Sequence, residues 1–163
     1  MAMDVGAELA KTELFQGVRA EDLASIVLIA QAVKLEPAEV VYKVGDAGDS
    51  LYVIVEGTVV VRTQDENGEE IDVARLKAGS YFGEMEVIGG MNRTAAIVAE
   101  TDGRAYRLAG NAFLEVLGRS DRLAAQVYRQ ISRELIRRTL SPGAAGTSTR
   151  RRRTVAVAGG FIE

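Results

Sequence analysis

A mainly β chain with flanking helices, its strands forming an antiparallel sandwich or barrel, is predicted by three observations. Between Val33 and Leu108, short runs rich in Val, Ile and Tyr recur along the chain. Turn residues separate these runs roughly every 8–12 residues, a rhythm that fits antiparallel strands and leaves no room for crossover helices. On either side of this stretch the apolar residues fall at helical spacing instead.

Residues 7–32 read as N-terminal helices. Leu9, Leu14 and Phe15 mark a first short helix, which Gly17 breaks. Ala20–Ala32 reads as a second. It carries Glu21 and Asp22 in its first turn, where the helix dipole favours negative charge, and places Leu23, Ile26, Val27 and Ala30 on one face. The β region follows over residues 33–108. Its runs are Val40–Tyr42, Leu51–Val55, Thr58–Thr63, Glu70–Leu76, Thr94–Ala99 and Arg104–Leu108. The turns carry Gly45-Asp46, Gly48-Asp49, Gly57, Asn67-Gly68, Ala78-Gly79 and Asp102-Gly103. Asn67-Gly68 is the strongest hairpin signal, since both residues tolerate positive φ. Helices return over residues 111–140. Asn111 is placed to cap a short helix that ends at Gly118, and Ser120 or Asp121 to cap a longer one running to Leu140. Leu123, Val127, Ile131 and Leu135 form the apolar stripe of that longer helix, suited to core packing or to a homodimer seam. Pro142-Gly143 ends it. Residues 141–163 read as a flexible basic tail, with a Gly/Ala/Ser/Thr linker before the run Arg150–Arg153.

Composition narrows the function classes. Of the 163 residues, 47% are hydrophobic and 26% charged, enough to bury a core. There is no Cys and no His, which removes disulfides, cysteine nucleophiles, Ser-His triads and the usual zinc ligands. No catalytic residue and no metal site is therefore assigned, and an enzyme is disfavoured. No uncharged apolar run approaches the ~20 residues of a membrane helix, and the first residues lack a basic stretch followed by an apolar core, so no signal peptide is expected. A cytoplasmic location is the expectation. From Arg129 to Arg153 eight Arg face one Glu, a local net of +7, leaving −10 for the rest of a chain whose total is −3. Such asymmetry marks either a solvated tail or an acidic partner for it, and a protein partner is expected through the C-terminal helix or basic tail. Four arginines on a tail bind nucleic acid only weakly and in a salt-sensitive way. Only 23 residues follow residue 140 in this sequence, too few for a helix-turn-helix module, so unless the chain is a fragment a DNA-binding regulator is not the expectation, and a nucleic acid partner is disfavoured.

Residues 82–96 break the strand rhythm: Phe-Gly-Glu-Met-Glu-Val-Ile-Gly-Gly-Met-Asn-Arg-Thr-Ala-Ala. Glu84–Ile88 suits a single helical turn after Gly83, and a helix start offers unpaired N–H groups to an anion. Arg93 follows across a Gly-Gly loop long enough to fold back. Its guanidinium offers a planar fork to phosphate oxygens. Glu84 offers an acceptor for a sugar hydroxyl. Together these residues suggest a sugar-phosphate ligand.

This segment resembles the phosphate-binding cassette of the cyclic nucleotide-binding domain family, through Phe82-Gly83-Glu84-Met85 and Arg93-Thr94-Ala95. Gly45-Asp46-Ala47-Gly48-Asp49-Ser50-Leu51-Tyr52-Val53-Ile54, Gly57, Ala78-Gly79-Ser80-Tyr81-Phe82 and Phe113 extend the resemblance over residues 10–140. It implies a β-roll or jelly-roll barrel with N-terminal helices and a C-terminal lid helix, within a domain spanning residues 1–140. It further implies a regulatory ligand, cAMP or cGMP, rather than a cofactor. Glu84 would accept from the ribose 2′-OH and Arg93 would pair with the phosphate. The N–H groups of Gly83, Met85, Glu86 and Thr94 would lie beside that phosphate. The Thr94 hydroxyl either selects the base or belongs to a plain β-branched strand residue. Ala74 and Leu76 would lie near the base, and Ile131, Arg133, Glu134 and Leu135 would be lid contacts.

Two residues depart from the family pattern. Asn92 stands where Pro is usual, which removes one source of loop pre-organisation. Glu86 stands where a small residue is usual. A carboxylate ~5 Å from a phosphate costs roughly 3 kcal/mol at an effective dielectric of 20, or ~200-fold in affinity, unless it turns to solvent or pairs with an Arg. A solvated Glu86 at the pocket rim is the expectation. The resulting reading is a non-enzymatic sensor whose lid helix regulates a partner. The alternatives are a scaffold of the same fold that has lost its ligand and a regulatory fragment of a channel, kinase or transporter subunit.

Overall fold

The computed structural model of the chain describes residues 4–140 and the backbone of two short strands, Val155–Val157 and Gly160–Ile162. Helices α1 (Val5–Ala10) and α2 (Ala20–Ile29) lead into strands β1 (Ala30–Leu35), β2 (Val40–Tyr42), β3 (Ser50–Glu56), β4 (Thr58–Gln64), β5 (Glu70–Lys77) and β6 (Tyr81–Phe82). Then come α3 (Glu84–Gly89), β7 (Ala96–Ala99), β8 (Gly103–Ala109), α4 (Gly110–Arg119), α5 (Asp121–Leu140), β9 (Val155–Val157) and β10 (Gly160–Ile162). The first eight strands form two antiparallel four-stranded sheets, in the orders β1-β8-β3-β6 and β2-β7-β4-β5. Two sheets of this interleaved order make a jelly roll, as expected. Strands β9 and β10 pair with each other. The basic run Arg150–Arg153 and the linker before it lie outside the described residues.

Alternation along β3 explains why there are two cores. Leu51 and Val53 point to the helices, while Tyr52 and Ile54 point between the sheets. The outer core joins Leu9, Leu14, Phe15, Leu23, Ile26, Phe113, Leu123 and Val127 to the β3 and β8 face. The inner core holds Leu35, Ile54, Val59, Phe82, Ile97, Ala99 and Ala105, with Tyr42, Tyr52, Val61 and Leu76 packed on it.

Several expected boundaries move. Residues Ala30–Ala32 are not the end of α2: they begin β1 and pair with Leu108, Arg107 and Tyr106. Their Ala-Gln-Ala sequence is compatible with a helix, but the open edge of β8 captures it. Leu14 and Phe15 sit in turns after α1, not in a helix, and are buried all the same. Asn67-Gly68 does form a hairpin tip, but only Gly68 takes positive φ (+80°). The Asp65 carboxylate accepts there from the N–H groups of Asn67 (2.8 Å) and Glu69 (2.9 Å), so the loop is longer than a two-residue turn. Asn111 does not cap α4, which starts one residue earlier and runs past Gly118 to Arg119.

Helix α5 spans its expected range, with the Ser120 hydroxyl accepting from Leu123 N–H (3.2 Å). Only its first half is firmly anchored. Burying Leu123 and Val127 contributes about 1.5–3 kcal/mol each. Arg122 adds a bidentate pair to Asp22 of α2, at 2.8 and 2.9 Å. Further along, Ile131 and Leu135 are half-buried, and Ile136 and Leu140 are exposed. Among the described residues no helix is long and apolar enough to cross a membrane.

Candidate ligand-binding site

Helix α3 is held between two glycines in the left-handed region, Gly83 (φ +86°) and Gly90 (φ +63°). Gly83 is required for space as well as conformation. A Cβ there would come 2.9 Å from the Ser50 carbonyl oxygen and 3.0 Å from Arg93 Nη1. The loop after α3 is fixed without a proline. Arg93 N–H donates to the Asp46 carbonyl and the Arg93 carbonyl accepts from Gly45 N–H, both at 2.8 Å, while Ala47 and Asn92 form a β-bridge. The β2–β3 loop therefore supplies the pre-organisation that Asn92 gives up.

Arg93 folds back onto α3 as expected, and it is only 3% exposed. Nη1 donates to the Gly83 carbonyl and to Glu86 Oε1, both at 3.0 Å. Nη2 donates to the Ser50 carbonyl and, at 3.4 Å, to the Ser50 hydroxyl. The guanidinium carbon lies 3.9 Å from the centre of the Tyr42 ring, close enough for a cation–π contact. Tyr42 in turn packs on Tyr52 and Phe82, whose rings stack at 4.9 Å. A cleft of about 380 Å³ opens beside Arg93, lined by Tyr42, Asp46, Asp49, Ser50, Tyr52 and Arg107 among others.

Glu86 is not the solvated rim residue expected. It is 5% exposed, and its carboxylate is the anionic partner of Arg93. The reason is positional: its Cβ is packed against Gly48 of the β2–β3 loop, and the returning Arg93 comes within 3.0 Å of its carboxylate.

Glu84 is 4% exposed, and its Oε2 has no hydrogen-bond partner. Burial pushes its carboxyl up to about 7, assisted by the charges of Glu86 and Glu134. Arg138 and the residue's own backbone N–H act in the opposite direction. The neighbouring Tyr81 hydroxyl is also buried without a partner, and burial raises its pKa too. Both residues thus feel the charges of Glu134 and Arg138 on α5. Glu134 is itself paired with Arg137 and Arg138.

Of the residues singled out from the sequence, Gly83, Glu84, Met85, Glu86 and Arg93 come together around α3. Thr94 is half-buried in the bend that precedes β7, not in the strand. Leu76 packs against the inner core and Ala74 is half-buried on the same strand. Glu134 reaches Glu84 through its charge, Ile131 packs on the outer core and Leu135 is half-buried. Arg133 is exposed. Sequence reasoning missed Tyr42, Ser50, Tyr81 and Arg138. Ser50 and Tyr81 belonged to recognised motifs but carried no chemical signal of their own. Arg138, one helical turn beyond Glu134, was findable from the i, i+4 spacing.

The comparisons with known proteins agree with this architecture. The cAMP-dependent protein kinase regulatory subunit of Mucor circinelloides f. lusitanicus is 32% identical over 110 residues, covering 68% of this chain and 26% of that protein. This chain spans only about a quarter of the length of the kinase regulatory subunits it matches. Among solved structures, the N-terminal domain of a transcriptional regulator from Streptomyces coelicolor A3(2) superposes with a TM-score of 0.68 at 25% identity, covering 86% of this chain and 99% of that one. The regulatory subunit of a cAMP-independent protein kinase A from Trypanosoma cruzi, bound to guanosine, superposes with a TM-score of 0.70 at 26% identity, covering 88% of this chain and 52% of that one. Residues 32–120, more than half of the chain and including nearly all of the jelly roll and the α3–Arg93 segment, match the family described as the cyclic nucleotide-binding domain, and the chain belongs to that family.

Proposed function

We propose that this chain is a regulatory sensor module that seats the ribose of a nucleotide-class ligand on Glu84 and passes the event to α5. One observation carries the reading: Glu84 Oε2 is a buried acceptor with no partner, in a position electrostatically coupled to Glu134 and Arg138 of α5. A sugar hydroxyl is a donor of the right kind to satisfy it, and an unsatisfied buried acceptor is costly. Arg93 and the N–H groups of Gly83, Met85, Glu86 and Thr94 would face the 5′ side of the ligand. Leu76 and Ala74 would face the base.

A ligand that reaches Glu84 changes the field acting on Glu134 and Arg138. The second half of α5 lacks the anchors of the first, so it is the part free to respond. Binding moves it only by the ligand's differential affinity for the two positions. Exposed Ile136 and Leu140 then give a protein partner an apolar surface that this motion would present or withdraw. cAMP and cGMP are the ligands drawn from the family resemblance. The Trypanosoma cruzi subunit is bound to guanosine, which supports including nucleosides in the proposed class.

The test is calorimetric titration with cAMP, cGMP, adenosine and guanosine, each beside its 2′-deoxy counterpart. Saturable binding of a ribose ligand, weakened about tenfold or more in the 2′-deoxy form, supports the role of Glu84. If no ribose ligand binds, the reading fails. The second reading then stands, a scaffold without a ligand, and the pairing of Arg93 with Glu86 is what favours it.

A further inference from the structure

We propose that the Glu86 carboxylate stands on Arg93 where a ligand phosphate would otherwise stand, so that the site prefers an uncharged ribonucleoside to the corresponding cyclic phosphate. The inference rests on the sensor reading above and narrows its ligand.

Three observations carry it. First, the charge of Arg93 is already neutralised. Glu86 Oε1 lies 3.0 Å from Nη1, and both side chains are buried, so little solvent screens the pair. Second, the guanidinium has almost no donor capacity left. Nη1 is committed to the Gly83 carbonyl and Glu86, and Nη2 to the Ser50 carbonyl and hydroxyl. Among its nitrogens only Nε lacks a partner. A phosphate held bidentately needs two parallel N–H groups, and one remains. Third, Glu86 has little freedom to withdraw. Its Cβ packs where a Cβ on Gly48 would fall within 2.5 Å, so the β2–β3 loop closes one side of it.

A phosphodiester entering this site must either displace Glu86 from Arg93 or lie beside a second negative charge. At ~5 Å and an effective dielectric of 20, the repulsion from Glu86 is worth roughly 200-fold and cancels the attraction that Arg93 would otherwise supply, so in the second course the phosphate loses its water and gains nothing from the arginine. A nucleoside makes neither demand. Its ribose still meets Glu84, and its 5′-hydroxyl carries no charge to Glu86.

The experiment is competition binding on the full chain, adenosine against cAMP and guanosine against cGMP, in wild type, Glu86→Gln and Glu86→Ala. Urea denaturation of each variant confirms that it is folded. The proposal expects wild type to bind the nucleoside at least about tenfold more tightly than its cyclic phosphate. It expects both variants to shift that ratio by about 100-fold or more toward the phosphate, since both remove the carboxylate charge and Gln keeps the side-chain size. Wild type that prefers the cyclic phosphate overturns the proposal and leaves the sensor reading intact. An unchanged ratio in folded variants also overturns it. Absence of binding by every ligand to all three proteins overturns both. Should neither variant fold, the wild-type ratio alone decides.

Discussion

Replacing Glu84 with Gln should stabilise the protein progressively as the pH rises from 4.5 to 8. Burial lifts the Glu84 carboxyl from 4.5 to about 7 in the folded chain. In the unfolded chain it titrates near its ordinary value. Between those two points the folded state binds more protons than the unfolded state, so wild-type stability falls as the pH rises through this window. Of the groups facing the carboxyl, Arg138 holds its pKa down and Glu86 and Glu134 push it up. A shift from 4.5 to about 7 corresponds to about 3 kcal/mol of stability, lost in full above pH 7 and retained below pH 4.5. Glutamine fills the same volume and does not titrate. The difference between variant and wild type should therefore be near zero at pH 4.5 and approach about 3 kcal/mol in favour of the variant at pH 8. Urea denaturation at four pH values measures it, provided the m-values agree. A difference that stays constant across the range would refute the buried, proton-binding carboxyl and with it the argument that Glu84 waits for a hydroxyl donor.

Gly48→Ala should destabilise by about 2 kcal/mol or more, because its Cβ would fall 2.3 Å from the Met91 carbonyl oxygen and 2.5 Å from Glu86 Cβ. A thermal melt within a degree of wild type would count against the close packing of the β2–β3 loop on α3. Tyr81→Phe removes a buried hydroxyl that has no partner, so it should leave stability unchanged or raise it by up to ~1 kcal/mol. A loss of more than 1 kcal/mol in denaturation would mean that the hydroxyl is satisfied in solution.

The strand pattern was legible because alternation and turn chemistry are local. The runs at Val40–Tyr42, Leu51–Val55 and Glu70–Leu76 appear within a residue of their strands. The turn at α3 was legible for a similar reason: Gly83 and Gly90 supply the positive φ that starts and stops it. β6 was not, since two residues, Tyr81 and Phe82, are too few for any period to register.

The sequence by itself marked Glu84 and Arg93 as the candidates for a ribose and an anion, and Glu86 as a departure from the family pattern around them. It placed helices before and after the β region, with shifted bounds at the N-terminal end, and α5 to its last residue. Tertiary structure alone decided three things. Ala30–Ala32 became strand because β8 offered an unpaired edge, a long-range bond that local propensity cannot anticipate. Arg93 found Ser50 and Tyr42, residues more than 40 positions away in the chain, because the β2–β3 loop binds its backbone. Glu86 turned inward to Arg93 rather than outward to water. Whether a carboxylate is solvated or paired depends on which cation the fold brings within reach, and that distance is written only in three dimensions.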